Sequence, residues 1–285
     1  MNLRRWGNWL VLGALVLGVC AMLPYNAYAG GPDGTAPAAT PAASPKPASP
    51  SRSSSTFTWR GFYVGANLGG GWGNGDTFVN PLPTAAIFIN LLPQTLHTDP
   101  TGVVGGGQVG YNYQHGIVVL GVETDLDGTG MRGTKTVTPI VQNNGTPFPG
   151  TGFLTAHETT SWLGTLRGRV GVAPWPKVLV YGTGGLAYGH VDYGATSDFR
   201  PTGTEHYDAV FNRTKAGWTG GGGAEFSVHP RVSIKAEYLH YDLGSESFTA
   251  NPSIAFPPPP FPQFQVAYRW ETSGNIFRGG INFHF

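Results

Sequence analysis

The 285-residue chain carries 17 Lys and Arg against 16 Asp and Glu, with 12% charged residues, 13% aromatic residues and 44 glycines. That balance leaves no basic face for nucleic acid, and so little charge beside so much glycine and aromatic surface is unlike an ordinary soluble domain of this size. The one cysteine, Cys20, lies in the N-terminal apolar stretch, so the body of the chain can hold neither a disulfide nor a thiolate metal site.

Arg4 and Arg5 precede an apolar run from Trp9 to Leu23, and Ala27-Tyr28-Ala29 puts small residues at the two positions that flank a cleavage site. Residues 1–29 are therefore expected to be a cleaved export signal; a spanning anchor would need ~20 apolar residues. Leu17-Gly18-Val19-Cys20 resembles a lipid-attachment box except at Val19, where a small residue is required. Residues 30–56 are dominated by Pro, Ala, Ser, Thr and Gly, cannot bury enough apolar surface to offset the entropy of ordering, and read as a disordered spacer. The body, 57–285, is expected to be an outer-membrane β-barrel domain. Its strands would need only ~9–11 residues each, apolar outside and polar inside, with aromatic girdles at the membrane edges, which accounts for the composition.

Period-two alternation predicts eight strands. The first, 61–73, sets Phe62, Val64, Ala66, Leu68 and Trp72 opposite Tyr63 and Asn67. The second, 103–114, sets Val103, Val109, Tyr111 and Tyr113 opposite Gln108 and Asn112; the third, 117–127, sets Val118, Leu120, Val122 and Leu126 opposite Glu123 and Asp125. The fourth, 160–173, sets Trp162, Leu166, Val170 and Val172 opposite Thr165, Arg167 and Arg169. The fifth, 178–189, is apolar on both faces and its register stays open. The sixth, 215–227, sets Trp218, Ala224 and Phe226 opposite Thr219 and Glu225; the seventh, 231–243, sets Val232, Ile234, Ala236 and Tyr238 opposite Lys235 and Glu237. The eighth, 272–285, sets Phe277, Ile281, Phe283 and Phe285 opposite Arg278, Asn282 and His284.

Short turns are expected around His115-Gly116, Pro174-Trp175-Pro176 and His229-Pro230, and long loops over 74–102, 128–159, 190–214 and 244–271. Short connections at one rim and long ones at the other are the asymmetry of such barrels, so the turns face the periplasm and the loops the exterior. The glycines would relieve crowding at bends and beside bulky interior side chains. Neither Gly105-Gly106-Gly107 nor Gly220 to Gly223 leads into a helix with the lysine and hydroxyl of a phosphate loop.

Charges on the predicted strands fall mainly on the face opposite the apolar residues. Glu123, Asp125, Glu225 and Glu237 would meet Arg167, Arg169, Lys235 and Arg278 in the lumen, because an Arg or Lys facing lipid at the midplane costs ~2–4 kcal/mol. Balanced signs and few strands favour a filled interior over a narrow ion path.

The segments WRGFYVGANLGGGWG (59–73), GGGQVGYNYQ (105–114), GVETDL (121–126), SWLGTLRGRVG (161–171), YGTGGLAYG (181–189), GWTGGGGAEF (217–226), SIKAEYLHYDLG (233–244) and FRGGINFHF (277–285) carry a resemblance. In this order they resemble the RopB-like group of small outer-membrane β-barrel proteins, the outer-membrane immunogenic proteins of alphaproteobacteria. The resemblance implies an eight-stranded antiparallel up-and-down barrel in the outer membrane of a Gram-negative bacterium, a role at the cell surface, and no catalytic residues. Phe277, Ile281, Phe283 and Phe285 are similar to the C-terminal signal that barrel-insertion machinery reads. The chain departs from the family in the 30–56 spacer and the Pro257 to Pro260 run.

The expected function is that of a non-enzymatic integral outer-membrane protein serving envelope integrity and surface interactions. Its expected partners are outer-membrane lipids and the insertion machinery, with no nucleic acid, cofactor or metal. A small-solute channel is the transport alternative, disfavoured because water-filled porins use ~16–18 strands. A lipid-modifying barrel enzyme is a third reading. His97, His190, His206 and His240 each precede an aspartate by two residues, a spacing that puts both side chains of a strand on one face, but nothing in the sequence adds a nucleophile. The architectural runner-up is a soluble calycin-like barrel, with apolar residues inside and charges outside.

Overall fold

The alternating segments close on themselves. The computed structural model describes residues 57–82, 94–140, 145–146, 152–198, 206–251 and 265–285; the expected signal (1–29) and spacer (30–56) lie outside the described residues. In chain order the strands are β1 (Gly61–Pro81), β2 (Gln94–His97), β3 (Thr101–His115), β4 (Val118–Val137), β5 (Phe153–Trp175), β6 (Val178–Asp198), β7 (His206–His229), β8 (Val232–Ala250) and β9 (Val266–His284). The pairing order is β1-β3-β4-β5-β6-β7-β8-β9, all antiparallel, and β1 pairs back to β9 from Tyr63↔His284 to Pro81↔Val266. The expected eight-stranded antiparallel ring is what forms. The four-residue β2 stands outside it, folded onto the far end of β1 from Asp76↔His97 to Val79↔Gln94.

Two-residue turns, Gly116-Ile117, Pro176-Lys177 and Pro230-Arg231, join β3 to β4, β5 to β6 and β7 to β8. Gly116 supplies the left-handed residue of its turn at φ +60°. On β6, whose register the sequence leaves open, Leu179, Tyr181 and Ala187 turn inward while Val180 and Leu186 face out.

The strands run much further than expected. β5 has 23 residues and β7 has 24, about twice the ~9–11 that cross hydrocarbon, so strand extends from both sides into 74–102, 128–159, 190–214 and 244–271, which were expected as loops. The connections at that rim are still longer than the turns at the other.

The physical reason is an exchange of faces partway along the barrel. On β9 the outward residues near the turns are Phe277, Ile281 and Phe283, and the inward ones are Arg278, Asn282 and His284; further up, Arg269 and Glu271 point out and Val266, Tyr268 and Trp270 point in. β7 does the same, with Tyr207 and Ala209 inside and Asp208 and Asn212 outside, against Glu225 inside and Phe226 outside. The apolar side chains change sides while the backbone alternation continues, as a barrel would require with hydrocarbon around its first half and water around its second. The soluble-barrel arrangement is thus present in the outer half, on top of a membrane barrel.

The lumen is consequently layered. Trp59, Val119, Ala173, Leu179 and Tyr181, with Phe57 against them, close the periplasmic mouth. The outer half is filled by a larger apolar cluster that includes Met131, Leu154, Val191, Tyr193, Tyr241, Tyr268 and Trp270. The charged residues lie between the two.

Two bulges sit near the exchange. One lies at Ser161 of β5, which has no partner between His190 and Val191 of β6 and faces both Thr129 and Gly130 of β4, so the register shifts by one residue on each side. The other, at Leu243-Gly244 of β8, is built on a left-handed Gly244 (φ +73°) whose N–H donates to Asp242 Oδ1 at 2.7 Å. Bulges bend a strand and interrupt its ladder. Here β7–β8 pairing stops at Trp218↔Asp242. Beyond that rung side chains cross the seam: Phe211 stacks on Phe248 (5.3 Å), Arg213 faces Glu246 (3.6 Å) and Lys215 donates to the Gly244 carbonyl (2.9 Å).

Candidate functional site

The charged layer is assembled from five strands of the membrane-embedded half. β4 contributes Glu123, Asp125 and Asp127, β5 Arg167 and Arg169, β7 Glu225, β8 Lys235 and Glu237, and β9 Arg278, all of them buried. Within a strand the i, i+2 spacing aims each set inward. Between strands the register sets Glu123 opposite Arg167, Glu225 opposite Lys235 and Glu237 opposite Arg278.

Closure of the ring adds the contacts that cross the lumen. Arg167 donates to Glu123 and Asp125 on β4 (2.5 and 2.7 Å) and to Glu237 on β8 (3.0 Å). Arg278 donates to Asp127 and Asp125 (both 2.6 Å) and to Glu237 (2.8 Å). Lys235 reaches Glu123 at 3.0 Å, and Arg169 reaches Glu225 at 2.9 Å. All eight residues singled out from the sequence are brought into one connected lattice. Removing an ion from water costs several kcal/mol, so each is held by two or more partners rather than one.

Neutral side chains extend the lattice to the wall. Tyr63 donates to Glu123 (2.7 Å) and accepts from Arg169 (2.6 Å), whose guanidinium lies 3.8 Å from the Tyr181 ring centre. Tyr181 donates to Glu237 at 2.9 Å. Ser233 and Asn282 donate to Glu225 at 2.5 and 2.7 Å.

Sequence reasoning missed Asp127, Tyr63 and Tyr181. The signal for Asp127 was its position two residues beyond Asp125 on the same face; it sat beside an expected loop. Tyr63 stood on the polar face of its strand, and the register of Tyr181 was open.

Glycines make the room. Gly69 pairs with Arg278 and Gly185 with Arg167, and a Cβ on either would come within 2.6 and 2.8 Å of the arginine Cα. The crowding beside bulky interior groups is therefore specific: small residues lie opposite the two arginines with the most partners.

The histidine–aspartate pairs do not converge. His97 meets Asp76 (2.6 Å) rather than Asp99, His206 meets Asp208 (2.9 Å), His190 lies 3.9 Å from Asp192, and His240 meets Asn275 (3.1 Å). They stand on β2, β7, β6 and β8 respectively. No group of three or more His, Cys, Asp or Glu suited to a metal occurs among the described residues. Phe277, Ile281, Phe283 and Phe285 all face outward and are 41–75% exposed.

Residues 12–256 match the family described as outer membrane protein beta-barrel domain. The chain belongs to that family. Among relatives, the 31 kDa outer-membrane immunogenic protein of Brucella melitensis biotype 1 is 34% identical over 194 residues, 67% of this chain and 74% of that protein. The 22 kDa outer membrane protein of Rhizobium leguminosarum bv. viciae is 36% identical over 153 residues, covering 50% of this chain and 58% of that one. OprG of Pseudomonas aeruginosa, a solved outer membrane protein, aligns over 81% of this chain and 99% of its own at 12% identity and a TM-score of 0.45. This outer-membrane barrel protein therefore resides in the cell outer membrane, and its exposed band of Phe62, Leu68, Val122, Leu166, Val170 and Ile281 faces hydrocarbon.

Proposed function

We propose that this outer-membrane barrel is a non-enzymatic envelope protein that strengthens the membrane it spans and carries a tall extracellular end to the cell surface. The observation that supports this reading is the lumen: a buried ion lattice lies between two apolar layers, a filling that speaks against an aqueous path. The names of its relatives, outer-membrane immunogenic proteins, agree with a surface role. Purified protein in a planar bilayer should give no stable conductance steps. Steady, sizeable open steps would overturn the proposal in favour of a small-solute channel. In cells, deletion should raise sensitivity to detergents and bulky antibiotics, and re-expression should bring it back to the wild-type level.

The C-terminal strand is proposed to address the barrel-insertion machinery through Phe277, Ile281, Phe283 and Phe285. Replacing Phe285 and Phe283 by serine should slow assembly in vivo while leaving refolding in detergent intact. Equal loss in both settings would point to stability instead.

A further inference from the structure

The periplasmic rim carries charge of one sign. Among the described residues of this rim, 57–60, 114–117, 174–177 and 228–231, the ionisable side chains are Arg60, Lys177 and Arg231 with His115 and His229, and there is no Asp or Glu. Among the described residues none of the three permanent cations enters an ion pair, unlike Arg167, Arg169, Lys235 and Arg278 in the lattice. A single carboxylate for a chain ending at Phe285 would still leave an excess of positive charge.

Two of these cations line one cleft. A cavity of about 180 Å³ lies between the segment entering β1 and the β7–β8 turn, bounded by Phe57, Thr58, Arg60, Pro230, Arg231, His284 and Phe285. Arg60 links this rim cleft to the outer face of the barrel: its guanidinium lies 5.2 Å from the ring centre of Tyr113, an outward-facing residue. Phe285, 75% exposed, and Val228, 51% exposed, carry the apolar band down to the same level. Acyl chains packed on that band would bring their headgroups to the level of the cleft.

We propose that this cleft binds the phosphodiester headgroup of an acidic phospholipid from the periplasmic leaflet. Arginine forks match phosphate oxygens in geometry and charge, and basic residues at a membrane surface attract anionic lipid. Phe57 and Pro230 supply carbon walls for the glycerol, and Lys177 extends the positive field along the rim.

The test uses the full protein in detergent micelles, with native mass spectrometry of bound phosphatidylglycerol against phosphatidylcholine and against inorganic phosphate. Wild type should retain phosphatidylglycerol roughly five- to tenfold over phosphatidylcholine, and inorganic phosphate should not compete at equal concentration. The double variant Arg60→Gln/Arg231→Gln should lose the preference, whereas Lys135→Gln, an exposed cation at the opposite end, should keep it. Heat-modifiable migration confirms that each variant is folded. Equal retention of both lipids, a preference untouched by the double variant, or full competition by free phosphate would each overturn the proposal. So would co-sedimentation with purified peptidoglycan that depends on these arginines while lipid retention does not.

Discussion

Arg278 on β9 donates to Asp127 on β4 at 2.6 Å, across 151 residues of sequence and across the lumen, β1 and β3 lying between the two strands in the wall. The same guanidinium holds Asp125 and Glu237. The contact exists only once β9 has closed the ring against β1, so the lattice and the barrel are completed together.

Removing one of the central cations strands several carboxylates in a medium that cannot hydrate them. Arg278→Met and Arg167→Met should each lower stability by about 3–5 kcal/mol, read as an earlier urea midpoint in detergent. Arg213→Met removes a half-exposed partner of Glu246 at 3.6 Å and should cost no more than about 1 kcal/mol. Similar losses for inner and outer arginines would contradict the lattice.

Adjacent glycines of β1 offer a matched pair. A Cβ at Gly69 would lie 2.6 Å from the Arg278 backbone, whereas at Gly70, on the lipid face, the nearest atom is 3.9 Å away. Gly69→Ala should therefore destabilise by roughly 2 kcal/mol or more and Gly70→Ala scarcely at all. Thermal unfolding of the two variants, followed by the shift in gel migration, distinguishes them.

Glu158 sits in the apolar outer half, beyond the membrane band, with its Oε2 unpartnered. Burial pushes its carboxyl up to about 7, against a lowering by the Thr272 hydroxyl and Lys215. Because the folded value lies above the ordinary 4.5, the folded state holds the extra proton between these pH values. The penalty for burying the ionised form is therefore absent below about pH 4.5, grows as pH rises to 7 and is complete above it, amounting to about 3 kcal/mol. Unfolding curves of wild type and Glu158→Gln should separate over that window, the variant being the more stable at pH 8. Parallel curves across the range would exclude this assignment.

The seam between β7 and β8 should open more readily than the rest of the wall. Backbone amides of 206–217 and 243–250 have one ladder partner strand instead of two, so hydrogen exchange should be faster there than in 218–227 and 233–241. Gly244→Ala, placing a Cβ at φ +73°, should cost about 1–2 kcal/mol and change exchange chiefly along the seam. Uniform protection along β7 would show that the ladder does not end at Trp218.

Face assignment in the membrane half was determined by local sequence. Alternation is a property of neighbouring residues, and hydrocarbon leaves one side open to Leu166 and the other to Arg167. Which ions meet was not local: Lys235 finds Glu123 through the register and closure of a ring, and Asp127 joins because Arg278 arrives from the far end of the chain. The outer half escaped the sequence reading for a related reason. There Tyr268 and Trp270 still alternate with Arg269 and Glu271, but a pattern of period two does not say which side is wet. That was decided by where the surrounding medium changes from lipid to water along a barrel taller than its membrane.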